Sequence, residues 1–314
     1  MTSSPIRPAE DPADMPRVTA IITTFNRRQF LPAAIQSVLA QTFPHFELLI
    51  LDNGSTDGTV DIVRGFRDPR IRYIHHAPMT IGAQRNLGIA EAQGEFIAFL
   101  DDDDEWMPGK LGAQISGFMH RPNIALVYGG FFRIDAAGQI FASHTPTLAG
   151  DVLMDLLWQR DAFTGSASNP MLLLSAVKAL GGYDATLTTG EDWELYLRLA
   201  EEHSVAFVSD QVVRIRSHRG PRLGDRLEAA AALEARIVAR YRPIMPRRLV
   251  SRYYQKIGGK QCRCGYYAEG RRWIREAVVA DPSNLGAYLQ YAASFTGAYS
   301  KAHRIYKAIE RRGT

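Results

Sequence analysis

Five consecutive carboxylates, Asp101-Asp102-Asp103-Asp104-Glu105, follow directly on the apolar run Phe96–Leu100. Such a cluster repels itself and is tolerable mainly when solvated or neutralised by a cation. In an extended stretch Asp101 and Asp103 point to one side and Asp102 and Asp104 to the other, so one pair can face a crevice. Hard oxygen ligands select Mg²⁺ or Mn²⁺, and Mg²⁺ typically takes one or two carboxylates and fills its shell with phosphates and water. The chemistry implied is a metal at a strand edge that bridges to a diphosphate; the plain alternative is an exposed acidic loop. Two more polar clusters follow apolar runs: Thr23-Thr24-Phe25-Asn26-Arg27 and Asp52-Asn53-Gly54-Ser55-Thr56-Asp57. Taken alone, the second is an ordinary turn. A further acidic pair, Glu191-Asp192, stands before Trp193 at the start of an expected helix, where carboxylates commonly serve the helix dipole. His218 ends the polar stretch Arg214–Arg219, and a lone histidine is more often an unremarkable residue than a ligand.

The elements that must position these groups follow from hydrophobic pattern. Val18–Thr24, Phe46–Leu51 and Phe96–Leu100 show little alternation, as expected for parallel strands buried on both faces by helices. Helices are expected over Gln29–Gln41, Gly58–Phe66 and Ile81–Ala92, and a short strand over Ile71–His75. Strand, loop, helix, strand is the βαβ pattern, and ligands of an open parallel sheet bind beyond the carboxyl ends of its strands. All three polar clusters fall at that edge. Ala125–Ile134 and Gln139–Ala142 flank Asp135-Ala136-Ala137-Gly138 and read as a hairpin that adds antiparallel strands. Glu191–Glu202 reads as an amphipathic helix. After Gly220-Pro221 the chain turns to Ala/Arg/Leu-rich helical segments, and a domain boundary is placed there. Tyr266–Asp281, then Pro282-Ser283-Asn284 and a further helix, has the rhythm of one and a half degenerate tetratricopeptide-type repeats.

The 314 residues are 46% apolar and 22% charged, which excludes whole-chain disorder, collagen and coiled coil. Apolar stretches such as Ala125–Phe132 fall far short of the roughly 18–20 residues that span a bilayer, so a soluble protein is expected. Residues 1–16, with four prolines and no apolar central region, read as a disordered leader rather than a signal peptide. Cys262 and Cys264 are poorly spaced for a disulfide and too few for zinc, which fits a reducing cytoplasm. The net charge of +4 hides a division: residues 1–220 hold 18 Lys and Arg against 26 Asp and Glu, and residues 221–314 hold 19 against 7. The basic tail reads either as a solvated face or as a peripheral contact with the anionic inner face of a membrane. Nucleic acid is disfavoured, because no aromatic-basic recognition motif accompanies the charges. No Gly-x-x-x-x-Gly-Lys-Ser/Thr loop and no Gly-x-Gly-x-x-Gly after the first strand are present, which argues against P-loop nucleotidases and dinucleotide enzymes.

Six ordered motifs together carry a resemblance: Ile22-Thr23-Thr24-Phe25-Asn26-Arg27, Asp52 to Thr59, Gly82-Ala83-Gln84-Arg85-Asn86-Leu87-Gly88, Phe99 to Trp106, Gly181-Gly182-Tyr183-Asp184 and Glu191-Asp192-Trp193. From about Pro16 to Gly220 the chain resembles glycosyltransferase family 2, the inverting enzymes of GT-A fold. The resemblance implies an α/β architecture with a doubly wound mixed sheet over 17–220, followed by a basic helical extension over 221–314. It implies that Thr24, Asn26 and Arg27 line the nucleotide pocket and that Asp52 hydrogen-bonds the base or ribose. Arg85 and Asn86 would lie near the nucleotide and diphosphate. Asp101-Asp102-Asp103 would be the Asp-x-Asp motif, with Asp103 the first candidate for metal ligation and Asp101 turned to the donor ribose or sugar. His218 matches a position that adds a metal ligand in some GT-A enzymes, and Asp192 would be the catalytic base, with Glu191 its adjacent competitor. The function implied is transfer of a sugar from a nucleotide diphosphate sugar, uridine by default, to a saccharide, lipid-linked or protein acceptor with Mg²⁺ or Mn²⁺, in cell-surface polysaccharide or glycoconjugate synthesis. The alternatives are a sugar-phosphate nucleotidyltransferase, opposed by the absence of a basic Gly-rich loop after the first strand, and an inactive nucleotide-sugar-binding or scaffold protein whose tail recruits partners. Trp193 is read either as a platform for an acceptor ring or as core.

Overall fold

The computed structural model describes residues 16–119, 123–159, 164–217, 226–296 and 299. Residues 1–15 of the expected leader over 1–16, and the expected metal ligand His218, lie outside the described residues. The chain divides into two compact units, Met1–Ala185 with Leu195–His218, and Thr186–Glu194 with Arg219–Thr314. The short segment Thr186–Glu194 groups with the helices of the second unit.

The first unit is built on a nine-stranded mixed sheet of order β3-β2-β1-β4-β8-β6-β9-β5, with β7 paired to β6. Strand β1 (Val18–Thr24) is buried along its whole length and runs parallel to β2 (Phe46–Asp52) and β4 (Phe96–Asp101), while β3 (Ile71–His75) runs parallel to β2. Continuous apolar runs suit strands covered on both faces. Ala20, Ile22, Leu48 and Ile50 pack in one cluster with Leu31, Ala34, Ile35 and Val38 of helix α1 (Leu31–Leu39). On the other face helix α3 (Ile81–Glu91) approaches so closely that a Cβ on Gly88 would sit 3.0 Å from methyl groups of Ile21 and Leu51. Helix α2 (Thr59–Gly65) joins β2 to β3. The chain moves from β1 to β2 and β3 on one side and returns with β4 on the other, so the strand order reverses at the β1/β4 pair, the topological switch point.

The second half of the sheet departs from the expected hairpin alone. Strands β6 (Ile124–Ile134) and β7 (Ile140–His144) are antiparallel, as are β8 (Met171–Leu173) and both its neighbours. The 13-residue β9 (Ser204–Arg216), however, runs parallel to β6, and β5 (Glu105–Trp106) pairs with its end. Pairing of β6 with β9 is irregular between Tyr128 and Gly130, where Cβ atoms on Gly129 and Gly130 would lie 2.7 Å from the side chains of Val212 and Gln211. Glycine at both positions permits that approach. Helices α4 (Lys110–Met119), α5 (Leu153–Trp158) and α6 (Leu174–Ala179) connect these strands, and α7 (Glu191–Glu202) precedes β9.

In the second unit α8 (Leu227–Tyr241), α9 (Arg247–Cys264), α10 (Tyr267–Ala280) and α11 (Leu285–Ala293) pack in chain order. Helices α9 and α10 meet at Gly258 and Gly270; a Cβ on either would come within 2.8 Å of the other's carbonyl oxygen. Of the two cysteines of α9, Cys262 is buried and Cys264 partly exposed.

Candidate active site

Parallel register gathers the polar strand ends at one edge. Thr24 pairs with Asp52, Asp52 with His75, and Thr23 with Asp101. Three of the six motifs are thereby brought to the β1/β4 switch point.

The acidic run is not extended beyond Asp101. It turns, with the Asp104 N–H donating to the Asp101 carbonyl at 3.1 Å. The expected alternation of burial survives the turn: the Asp101 and Asp103 side chains are 36% and 14% exposed, whereas Asp102 and Asp104 are 9% and 3% exposed. The sequence reading called for solvent or a bound cation to relieve the repulsion, but the first relief comes from within the protein. Arg85 reaches Asp101 at 3.3 Å, Arg27 reaches Asp103 at 3.2 Å, and Arg216 reaches Glu105 at 2.6 Å. Burial pushes the Asp102 carboxyl up to about 7, with the charges of Asp103 and Asp101 adding to the rise and Thr24 and Arg27 opposing it. Asp104, deeper still, is driven up by burial and by the same neighbouring carboxylates. It accepts hydrogen bonds from the hydroxyls of Ser168 at 2.6 Å and Ser166 at 3.1 Å, and from the Arg216 N–H at 2.8 Å.

Ser168 is the buttress of this turn. Besides donating to Asp104, its hydroxyl accepts the Asp101 N–H at 3.0 Å and its carbonyl accepts the Trp106 indole N–H at 2.9 Å. The next residue, Asn169, clamps both the N–H and the C=O of Gly129, and its own carbonyl accepts from Gln114 and Lys110. Lys110 is fully buried over the Trp106 ring, and burial holds its ammonium well below the usual lysine range. None of Ser166, Ser168, Asn169, Lys110 or Arg216 was singled out from the sequence.

The other motif residues divide between open positions and internal ties. Arg85 is buried and lies between the rings of Phe99 and Tyr183 at 5.6 and 5.3 Å, which leaves its guanidinium aimed at Asp101. Asn86 is taken up by the Gly181-Gly182-Tyr183 turn, bonding the Tyr183 C=O and N–H at 2.8 Å each. Asn26 adopts the left-handed region at φ 52° and joins the first two strand-end loops: its N–H donates to Ser55 at 2.9 Å and its side chain accepts the Thr56 N–H at 2.8 Å. Short polar side chains tolerate that backbone. Asp52 is buried and also organises its loop, accepting from the Ser55 N–H at 2.8 Å and the Tyr73 hydroxyl at 2.5 Å, with His75 at 3.7 Å. Burial raises the Asp52 carboxyl, but these hydrogen bonds and His75 outweigh it and leave it below the usual range. Tyr73 and His75 were missed as partners of Asp52; extending the parallel register from β2 to β3 is the signal that would have found them.

The Glu191-Asp192 pair starts α7 within the second unit. Glu191 is buried and Asp192 half-buried, one Asp192 oxygen accepting the Trp193 N–H at 2.7 Å. Trp193 stacks on Tyr253 with rings 6.5 Å apart and 6° from parallel and is buried, which favours its reading as core. Among the described residues no three His, Cys, Asp or Glu side chains converge as a ready-made metal cage.

Residues 19–181 match the family model Glycosyl transferase family 2. Over 206 residues the chain is 30% identical to an uncharacterized glycosyltransferase of Rickettsia felis, covering 65% of this chain and 33% of that one. Over 116 residues it is 41% identical to UDP-Glc:alpha-D-GlcNAc-diphosphoundecaprenol beta-1,3-glucosyltransferase WfgD of Escherichia coli, covering 36% of this chain and 45% of that one. The aligned part thus spans less than half the length of these curated relatives. Among solved structures, S. aureus TarS 1-349 in complex with UDP-GlcNAc aligns with a TM-score of 0.64 at 16% identity over 94% of this chain and 92% of that one. Mannosyltransferase PcManGT from Pyrobaculum calidifontis in complex with GDP-Man and Mn²⁺ aligns with a TM-score of 0.55 at 17% identity over 98% of this chain and 88% of that one. Likeness at such identities is one of fold. Motif order, sheet topology and the family match agree: the chain belongs to glycosyl transferase family 2, and its fold is of GT-A type.

Proposed function

We propose that this chain is an inverting, metal-dependent glycosyltransferase that moves a sugar from a nucleotide diphosphate sugar, with uridine diphosphate the default nucleotide, to an acceptor hydroxyl. The observation that carries the reading is the split acidic turn at the switch-point edge, with Asp101 and Asp103 on its more open side and each beside an arginine. Guanidinium groups match phosphate oxygens in charge and in fork geometry, so Arg27 and Arg85 suit a diphosphate. Asp103, with His218 the second candidate, would hold Mg²⁺ or Mn²⁺, and Asp101 would face the donor ribose or sugar. The donor set fits: hard carboxylate oxygens suit an ion that completes its shell with phosphate oxygens and water. When bound, such a cation offsets the charge that grows on the departing diphosphate.

Asp192 accepts the proton of the acceptor hydroxyl as that oxygen attacks the anomeric carbon from the face opposite the leaving group, which inverts its configuration. A carboxylate is a weak base towards a sugar hydroxyl, so its contribution comes from placement and from late proton transfer. Between the two neighbours, the half-buried Asp192 suits contact with an acceptor better than the buried Glu191. Relatives such as WfgD, whose name gives a diphosphoundecaprenol-linked sugar as acceptor, support a lipid-linked saccharide and a place in cell-surface polysaccharide synthesis. Calorimetric titration with UDP, dTDP and GDP, each with and without Mn²⁺, tests the reading. Tightening of UDP binding by Mn²⁺ is expected; binding of no nucleotide, or binding indifferent to Mn²⁺, contradicts it.

A further inference from the structure

From residue 235 to residue 268 the chain contains no Asp or Glu and nine Lys or Arg. This stretch comprises the end of α8, the connection to α9, and α9 itself. The apolar face of α9 is spent on packing: Leu249, Val250, Tyr253, Tyr254 and Ile257 are buried. Arg248, Arg252 and Lys256, four residues apart, share the opposite side and are exposed. Lys260 lies between the two faces and is taken by the buried Glu234 at 2.5 Å. Asp281 stands near enough to Arg248 to feel its charge.

The α8–α9 connection carries the second observation. Met245 is buried, its N–H bonded to the Tyr241 carbonyl at 3.1 Å, and this tucks one side of the connection inward. Ile244 is left 53% exposed, with Arg242, Arg247 and Arg248 exposed on either side of it in the chain. A scattered surface isoleucine needs no explanation, but one set among arginines has the composition of an interfacial anchor, cations for headgroups and an apolar side chain for the boundary beneath.

We propose that this face of α8 and α9 docks peripherally on an anionic lipid bilayer, with Arg242, Arg247, Arg248, Arg252 and Lys256 at the headgroups and Ile244 entering below them. The contact proposed is a surface one; among the described residues no helix is long and apolar enough to cross a membrane. Nucleic acid fits less well, because Tyr253 and Tyr254 of α9 are buried and give this face no stacking platform. A soluble polyanion would use the arginines and give Ile244 nothing to do. The proposal rests on the second unit alone and stands apart from the donor chemistry.

Flotation of the full chain with phosphatidylcholine vesicles, with and without phosphatidylglycerol and at low and high salt, is the test. Binding is expected only with phosphatidylglycerol, weakening as salt rises. The triple variant Arg242→Glu, Arg247→Glu, Arg248→Glu should lose at least about tenfold in vesicle affinity, and Ile244→Ser should weaken vesicle binding while leaving heparin binding unchanged. Both variants should bind UDP as the unsubstituted chain does, which separates loss of docking from loss of fold or donor site. If the triple variant fails that control, single Arg→Gln variants at the same three positions should lower vesicle affinity step by step. No phosphatidylglycerol-dependent flotation, flotation of the folded variants equal to that of the parent, or binding to heparin without binding to vesicles overturns the proposal.

Discussion

The two acidic clusters of this chain differ in how their charge is held. In the turn Asp101–Glu105 the outer carboxylates each meet an arginine, and Asp102 and Asp104 are sunk into the fold. At the start of α7 Glu191 is buried, while Asp192 stays half-exposed and satisfies the N–H of the following residue. Carboxylates paired with guanidiniums are fixed in place, which suits holding a cation and a diphosphate. A half-buried carboxylate at a helix start is instead open to a neighbouring hydroxyl. On the proposed reading donor binding belongs to the first cluster and proton transfer to the second, and substitutions in each should fail in different ways.

The largest effect is expected at the second cluster. Asp192→Asn keeps the shape and removes the basic oxygen, so single-turnover transfer should fall by roughly 10²–10⁴ while donor affinity is unchanged. Glu191→Gln is the control: a selective collapse of transfer there would move the base by one residue. Second in size is a pH effect at the first cluster. Because the folded-state value of Asp102 is raised to about 7, the folded chain holds that proton more tightly than the unfolded chain does. The stability this contributes is complete below about pH 4 and is lost as pH rises through about 7. Asp102→Asn mimics the protonated form at every pH, so without added metal it should match the parent near pH 4 and exceed its stability by up to about 4 kcal/mol at pH 8. Denaturant unfolding at the two pH values reads this out; a variant less stable than the parent at pH 8 would show that the ionised form is the better accommodated. Smaller again, Ser168→Ala removes a buried hydroxyl that joins Asp104 to the Asp101 N–H, at an expected cost of about 1–3 kcal/mol in unfolding free energy. Its effect on nucleotide affinity should exceed that of a comparable loss of stability elsewhere in the first unit.

These predictions lean on residues of unequal legibility. The βαβ half could be read because Val18–Thr24, Phe46–Asp52 and Phe96–Asp101 are covered on both faces and show it as unbroken apolar runs. Strand β9 was hidden by Ser209, Asp210 and Gln211, which interrupt the apolar pattern where pairing with β6 loses register. The stretch Asp151–Pro170 carried no readable signal, yet Ser166, Ser168 and Asn169 lie within it and form the buried support of the acidic turn. Polar residues that are satisfied in the interior have the same composition as a solvated loop. Arg216 illustrates the remaining gap: its carboxylate partner Glu105 is 111 positions away, and no local pattern announces a tie across that separation.

The most direct test of the central claim is calorimetric titration of UDP into Asp103→Ala and the parent chain, each with and without Mn²⁺. Asp103 is predicted to be the carboxylate through which metal tightens donor binding, so the parent should gain affinity with Mn²⁺ and the variant, with its thermal midpoint preserved, should gain none. Equal Mn²⁺-dependent tightening in the two proteins would contradict the assignment of the acidic turn as the donor's metal site.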